Sequence, residues 1–443
     1  MTDSRRLGVV GGGILGTTLA LRLTEAGHQV TLLEGAAALG GLAGTMDFGG
    51  HRVDRFYHVV VPSDERMIEL IESLGLGDEL RFSPVGVGFW IDGALHPLDS
   101  VRDFVGFRPL SVAARGRLAW FIAQCQLRSG FAGLEDLSLE RWLRRHCGRE
   151  VVDRIWRPLL DSRFDGRWEE LPATYLWART RRMSSARSGR SGGGERMGHV
   201  RGGHQRLIER VATRASELGA QLRFGARVTA LERSPAGAVT GVRLGEERLA
   251  FDQTVITLQP PALAGLLVDD LRELLRPYPV RFLGVVCLVL KVRRSLLPCY
   301  SVNICAPTPV TTVVESSHVV GTDHTDGLRL IYVPKYCEAG SAAFAQSDDE
   351  VRERFADMVG RICPGFSWQR DVVDWTVQRA PLVEPVHALG TQPRTAPIWP
   401  GVDGLALASA SQVYPRLLNG ESIVGLAEGV AAEMVQRLAA QAS

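Results

Sequence analysis

Gly11, Gly13 and Gly16 stand in the spacing GxGxxG, and an acid, Glu34, follows 18 residues beyond the last of them. The chemistry open to such a set is the holding of a dinucleotide. The first glycine permits a tight turn, the second lets backbone approach a pyrophosphate, and the third lets a helix pack on a strand. A helix that starts there offers bare N–H groups and partial positive charge to phosphate. An acid at about this distance accepts hydrogen bonds from an unphosphorylated ribose, which allows NAD or FAD and disfavours NADP.

Three elements must position these residues. Leu7, Val9 and Val10 form a short buried strand. Leu15, Leu19 and Leu23 recur at helical spacing, which predicts a helix from about Ile14 to Glu25, ended by Gly27. A second strand, Gln29 to Leu33, then delivers Glu34. The stretch "GAAALGGLAGT" adds another glycine pair, Gly40 and Gly41.

Strand, glycines, helix, strand, acid and second glycine pair, in that order, resemble the extended fingerprint of the FAD-containing amine oxidase superfamily. That superfamily includes amine oxidases, protoporphyrinogen oxidase and phytoene desaturases. The resemblance implies an α/β fold: a Rossmann-like FAD-binding domain of GR2 type, interleaved with a mixed-sheet plus helical substrate domain. It places Gly40 and Gly41 along the pyrophosphate, with Leu42 where the family often has arginine. It has the strand near Val228 touch the adenine through its backbone. It aims the last helix at the flavin ring by its N-terminus, where Asn419, Gly420, Glu421 and Ser422 stand. The family's C-terminal strand usually ends in Gly-Asp or Gly-Glu. Here "LASASQ" leaves Ala410 and the Ser411 hydroxyl as donor to phosphate or ribityl oxygen. Many amine oxidases also carry a lysine that holds a water beside the flavin. The register puts Cys287 at that position, with Lys291 four residues on and on the same strand face. FAD is expected to be non-covalent, because no cysteine lies at an attachment motif.

The same resemblance divides the chain. Expected are FAD-binding segments at 1–90, 196–275 and 396–443, a helical insertion at 91–195, and a substrate sheet at 276–395. Within them, Met67, Leu70, Ile71 and Leu74 predict a helix capped near Ser63 or Asp64 and stopped by Gly75 to Gly77. Asp92-Gly93 predicts a hairpin turn. Residues from about Ser100 to Trp156 read as helices covering a substrate site. Residues 179–199 are basic, glycine- and serine-rich, and read as a solvated loop. Helices are expected at Gln205–Leu218 and Asp348–Cys363.

Catalytic candidates come from polar residues on otherwise apolar elements. His58 follows soon after the pyrophosphate segment. Tyr332 and Lys335, with Tyr336, stand in "IYVPKY". Glu315 closes an apolar strand, and Arg329 opens its neighbour. Arg163, Trp399 and Tyr414 are further candidates for the pocket wall. The reaction expected from the resemblance is FAD-dependent removal of hydride from the C–N bond of an amine or amide intermediate. It forms an iminium, with dioxygen as electron acceptor, in the biosynthesis of a specialised metabolite. Desaturation of a polyprenoid or sugar, non-redox mutase chemistry, and flavin binding without turnover are the alternatives. Acids or an aromatic cage in the pocket favour the amine; a long apolar tunnel favours the polyprenoid.

Composition sets outer limits. The 443 residues carry a net charge of +2, too small to argue for nucleic acid, and no aromatics interleave with the basic stretch. Seven scattered cysteines without CxxC read as reduced thiols in a cytoplasmic protein and not as metal ligands. The greasiest run, Val280 to Val292, is too short and too β-branched to span a membrane. A homodimer is among the assemblies allowed.

Overall fold

The computed structural model describes residues 4–185, 195–267, 269–276, 278, 280–390 and 395–441. Two sheets organise them. The first is parallel, in the order Leu405–Leu407, Gln253–Ile256, Arg6–Val10, Gln29–Leu33 and Gln221–Arg223. Leu7, Val9, Leu32 and Val255 are fully buried in it, as a sheet covered on both faces requires. Helices Ile14–Glu25, Gly203–Glu217 and Gly420–Gln441 share one apolar core with one face. An antiparallel sheet of three strands, Ala230–Arg233, Val239–Leu244 and Glu247–Ala250, packs on the other. The chain leaves this layer twice and returns, so distant segments meet at its strand tips.

The second sheet is mixed, in the order Val372–Val386, Arg281–Val292, Arg329–Cys337, Thr312–Glu315, Ser301–Ile304, Val87–Ile91 and Ala94–Pro97. In the long strand Arg281–Val292 almost every position is buried. Leu283, Val285, Cys287 and Val289 face a helical layer. Val286, Leu288, Leu290 and Val292 face helix Asp348–Ile362, which Ser347 and Glu350 cap reciprocally. The helical layer comprises Val101–Val105, Val112–Leu127, Leu139–Val151, Arg157–Phe164 and Thr174–Ser185.

Local signals place most elements closely. The hairpin turns at Asp92-Gly93 with φ of 53° and 80°, the left-handed pair that a tight turn needs. Its strands join the mixed sheet, so the boundary expected at residue 90 falls inside a strand. Residues 179–185 of the expected loop are the end of a helix, and Arg196–Val200 pairs with Leu80–Pro84. The middle of that loop, 186–194, lies outside the described residues. Val228 is not on a strand; it sits in the connector between Gln221–Arg223 and Ala230–Arg233. The neighbouring Gly225 and Ala226 N–H groups instead bond to the Ala36 and Glu34 carbonyls.

Candidate active site

The two glycine pairs meet at the tip of the parallel sheet. Gly13 precedes helix Ile14–Glu25, whose first N–H groups have no partner within the helix. A Cβ built on Gly16 would stand 1.9 Å from the Gly11 carbonyl oxygen, so helix and strand approach as closely as backbone allows. A Cβ on Gly13 would meet no heavy atom within 4 Å, which leaves the helix end bare. The Gly40 N–H donates to Gly12 O at 3.0 Å, and a Cβ on Gly41 would lie 3.6 Å from Gly13 Cα. The second pair therefore lies across the first. Glu34 stands beside them, its Oε2 accepting from Gly12 N at 2.6 Å and its Oε1 from Ala36 N at 2.7 Å. Each carboxylate oxygen keeps a further lone pair for a hydroxyl. A bare, acid-flanked cradle of this kind fits a dinucleotide's pyrophosphate and ribose.

Leu42 packs on the core of the mixed-sheet half. Ser411 is buried, and its hydroxyl is 2.6 Å from that of Ser409 in a tight turn. The Asn419 side chain accepts from Ser422 N at 2.8 Å and so caps the last helix itself. Gly420 packs against Met67, and Glu421 accepts from Met67 N at 3.0 Å. This terminus is thus tied to helix Glu65–Ser73.

Between the two halves lies a pocket. Phe164 and Tyr175 from the helical layer, Glu384 to His387 from the end of the long outer strand, and Val413 to Leu418 bound it. Glu384 accepts from Arg163 at 2.7 Å, with only 11% and 19% of the two side chains exposed. The Arg163 guanidinium lies 3.7 Å over the Tyr336 ring. Burial lowers the guanidinium's hold on its proton, yet Tyr336 and Glu384 keep it charged far above neutrality. Burial raises the Tyr57 and Tyr175 hydroxyls, so both remain protonated donors. Tyr414 stacks on His387 at 4.5 Å and bonds Thr174 at 3.0 Å. Burial takes His387 down to about 4, so its imidazole is neutral.

A second polar cluster forms around His58 and Asp54. His58 Nδ1 donates to Phe56 O at 2.8 Å, which leaves Nε2 as the acceptor, and burial keeps the ring neutral. Its ring is 5.2 Å from that of His204, which burial also holds neutral. Tyr332 donates to the Asp54 carbonyl at 2.6 Å. Burial raises the Asp54 carboxyl to about 7, and its Oδ1 has no hydrogen-bond partner among the described residues. His58 thus meets the start of helix Gly203–Glu217 through His204, and Tyr332 meets Asp54, which lies against Gly203 of the same helix start.

Glu315, Arg329 and Lys335 are not part of this group. Glu315 accepts from Leu296 N, Leu297 N and Arg329, on the sheet face opposite Val314 and Tyr332. A carboxylate so saturated fixes a turn, and we assign it and Arg329 to the sheet, not to chemistry. Lys335 pairs with Asp165 at 3.4 Å at a strand end. Cys287 and Lys291 do share a face, but burial lifts the thiol to about 12, and Lys291 is spent on Phe48 O and His51. Trp399 lies against Arg437, late in the last helix. Asp54, Tyr57, Tyr175, Glu384 and His387 carried no local sequence signal that singled them out. Asp54 stood inside "GGHRVDRFYH", where the histidine drew the reading instead.

A glycine cradle at the strand tips is joined to a mixed sheet that helps to wall a pocket. The sequence profile described as flavin containing amine oxidoreductase matches residues 16–417, and the chain belongs to that family. Among curated proteins it is similar to phytoene dehydrogenase of Streptomyces griseus, 30% identical over 62% of this chain and 57% of that one. It is also similar to coproporphyrinogen III oxidase of Bacillus subtilis (strain 168), 24% identical over 61% and 63%. The match thus spans about three fifths of these relatives' length. Among solved structures, an oxidoreductase from Methanosarcina mazei superposes with a TM-score of 0.75, at 18% identity over 97% of this chain and 99% of that one. Cyclohexylamine oxidase from Brevibacterium oxydans IH-35A gives 0.70, at 16% identity over 98% and 100%. These likenesses show the fold.

Proposed function

We propose that the chain binds FAD without a covalent bond and oxidises the C–N bond of a small amine or amide held in the cavity. FAD bound there would supply the hydride acceptor, with dioxygen as the final electron acceptor. The observation that carries this reading is Glu384: a buried carboxylate on the cavity wall, with the rings of Tyr175, Tyr414 and His387 around the same space. An acid among aromatic faces attracts a cationic nitrogen. Arg163 anchors Glu384 through one oxygen and leaves the other to the substrate. The apolar remainder of the wall excludes water, which protects an iminium product until it leaves. Gly11, Gly13, Gly16, Glu34, Gly40 and Gly41 hold the dinucleotide, with the backbone near Val228 beside Glu34. His58, neutral and with Nε2 as acceptor, is the proposed proton acceptor. Seven unpaired, buried cysteines fit both non-covalent flavin and a reducing cytoplasm.

Carbon–carbon desaturation is the second reading, favoured by Phe164, Leu171, Val386, Val413, Leu417 and Leu418 in the same wall and by the name of the Streptomyces griseus relative. Anaerobic mixing separates the two. Amines that bleach the flavin, and yield hydrogen peroxide when air is admitted, support C–N oxidation. Bleaching by a polyprenoid while no amine reacts overturns it.

A further inference from the structure

The large apolar side chains left in solvent are not scattered. Val101, Val105, Val112, Trp120 and Leu127, five of the eight most exposed among the described residues, all belong to helices Val101–Val105 and Val112–Leu127. Val101, Val112 and Leu127 are 81%, 77% and 78% exposed. On Val112–Leu127 they continue one stripe. Val112, Gly116, Ala119, Trp120, Ala123 and Leu127 fall within an arc of about 100° and run ~22 Å along the helix. The opposite arc, Ala114, Leu118, Phe121 and Cys125, is the one buried in the core. The helix is therefore apolar on both faces, and only one face has a partner.

Charge says what covers the other. Arg115 borders the stripe on one side and Arg117 on the other, as the helical period places them, and Arg128 follows the helix, donating to the Gly130 and Ala132 carbonyls. Arg102 and Arg108 lie on and just beyond the short helix. None of these five forms an ion pair among the described residues, whereas Arg144, Arg149 and Arg157 nearby pair with Glu140 or Asp153. The local acids are already engaged: Asp103 caps with Ser100, and Glu150 binds Ser111. Arg115 donates to the Val105 carbonyl and holds the two exposed faces side by side. Two copies of this surface set against each other would face arginine with arginine. A bilayer with anionic headgroups offers hydrocarbon to the stripe and phosphate to its borders.

We propose that helices Val101–Val105 and Val112–Leu127 dock this protein on an anionic lipid surface, lying in the headgroup plane. No helix among the described residues is long and apolar enough to cross a membrane, so this is contact with one leaflet. The proposal is independent of which substrate the cavity takes.

The test is co-sedimentation of the flavin-loaded protein with phosphatidylcholine vesicles, with and without phosphatidylglycerol. Binding is expected with phosphatidylglycerol, weakening as salt rises. Trp120→Gln with Leu127→Gln should lower the partition about tenfold or more. Arg108→Glu with Arg117→Glu should remove the preference for phosphatidylglycerol. All four positions are solvent-exposed, so melting temperatures should stay at the wild-type value. Should a variant melt early, Trp120→Phe in wild type and quenching by brominated lipid give a second reading: quenching that disappears with Trp120 supports the docking. Wild-type protein that sediments with neither vesicle overturns it. So does a dimer in solution that the glutamine pair dissolves, which would give the face to a second copy.

Discussion

The pyrophosphate end and the cavity end of this protein are made from different parts of the chain's chemistry. Gly11 to Gly16, Glu34, Gly40 and Gly41 are neighbours in sequence and act mainly through backbone. The cavity draws Tyr175, Glu384 and Tyr414 from three stretches between residues 175 and 414, with Arg163 paired to Glu384, and acts through side chains. The difference teaches where each end is vulnerable. Backbone sites fail when a Cβ is added; side-chain sites fail when a buried partner is removed.

Substitutions can break or sharpen that contrast. The largest loss is expected for Gly16→Val, because the new Cβ would overlap the Gly11 carbonyl, which cannot move without the strand. No cooperative thermal transition should remain. Glu384→Ala comes next. It strands the Arg163 charge in a buried site and should cost roughly 3–5 kcal/mol in urea unfolding. The pair Arg163→Met with Glu384→Leu should regain most of it. If the double variant is as unstable as the single one, the ion pair is not the cause.

A smaller, pH-dependent effect belongs to Asp54. Its carboxyl is raised from 3.8 to about 7. Over that window the unfolded chain gives up a proton that the folded chain keeps. This contribution to stability is therefore full below 3.8 and is lost as pH rises to about 7. Asp54→Asn should remove that dependence, gaining on wild type at about pH 8 relative to about pH 5. Equal differences at both pH values would place the Asp54 carboxyl near its ordinary range. Least of all should the stability of the flavin-free chain change in Gly13→Val, since nothing stands within 4 Å of the new Cβ. Flavin uptake by that variant should nonetheless collapse, read as bound chromophore per chain. Retained flavin would move the pyrophosphate away from Gly13.

Some of this was legible in the sequence. Helix Ile14–Glu25, strand Gln29–Leu33 and the turn at Asp92-Gly93 follow from local periodicity and backbone preference, and they stand where those rules place them. The start of helix Gly203–Glu217 was missed by two residues because its glycine pair reads as a turn. Within the candidate site, the cradle was legible. Glu384 was not, because it stands near the end of a fifteen-residue strand with no local mark of its role.

Sequence alone determined the dinucleotide cradle, the family resemblance that rests on it, and the alternation that puts Cys287 and Lys291 on one strand face. Only the tertiary structure decided what each face meets. Glu315 and Tyr332 both looked like polar groups on substrate-domain strands. Pairing of Val314 with Tyr332 turns those two toward the helical layer, and Glu315, one residue on, away from it. A helix or a turn is fixed by torsion angles within a few residues, which local sequence encodes. Which side chains share a cavity depends on strand register and on sheet packing between segments hundreds of residues apart, which it does not.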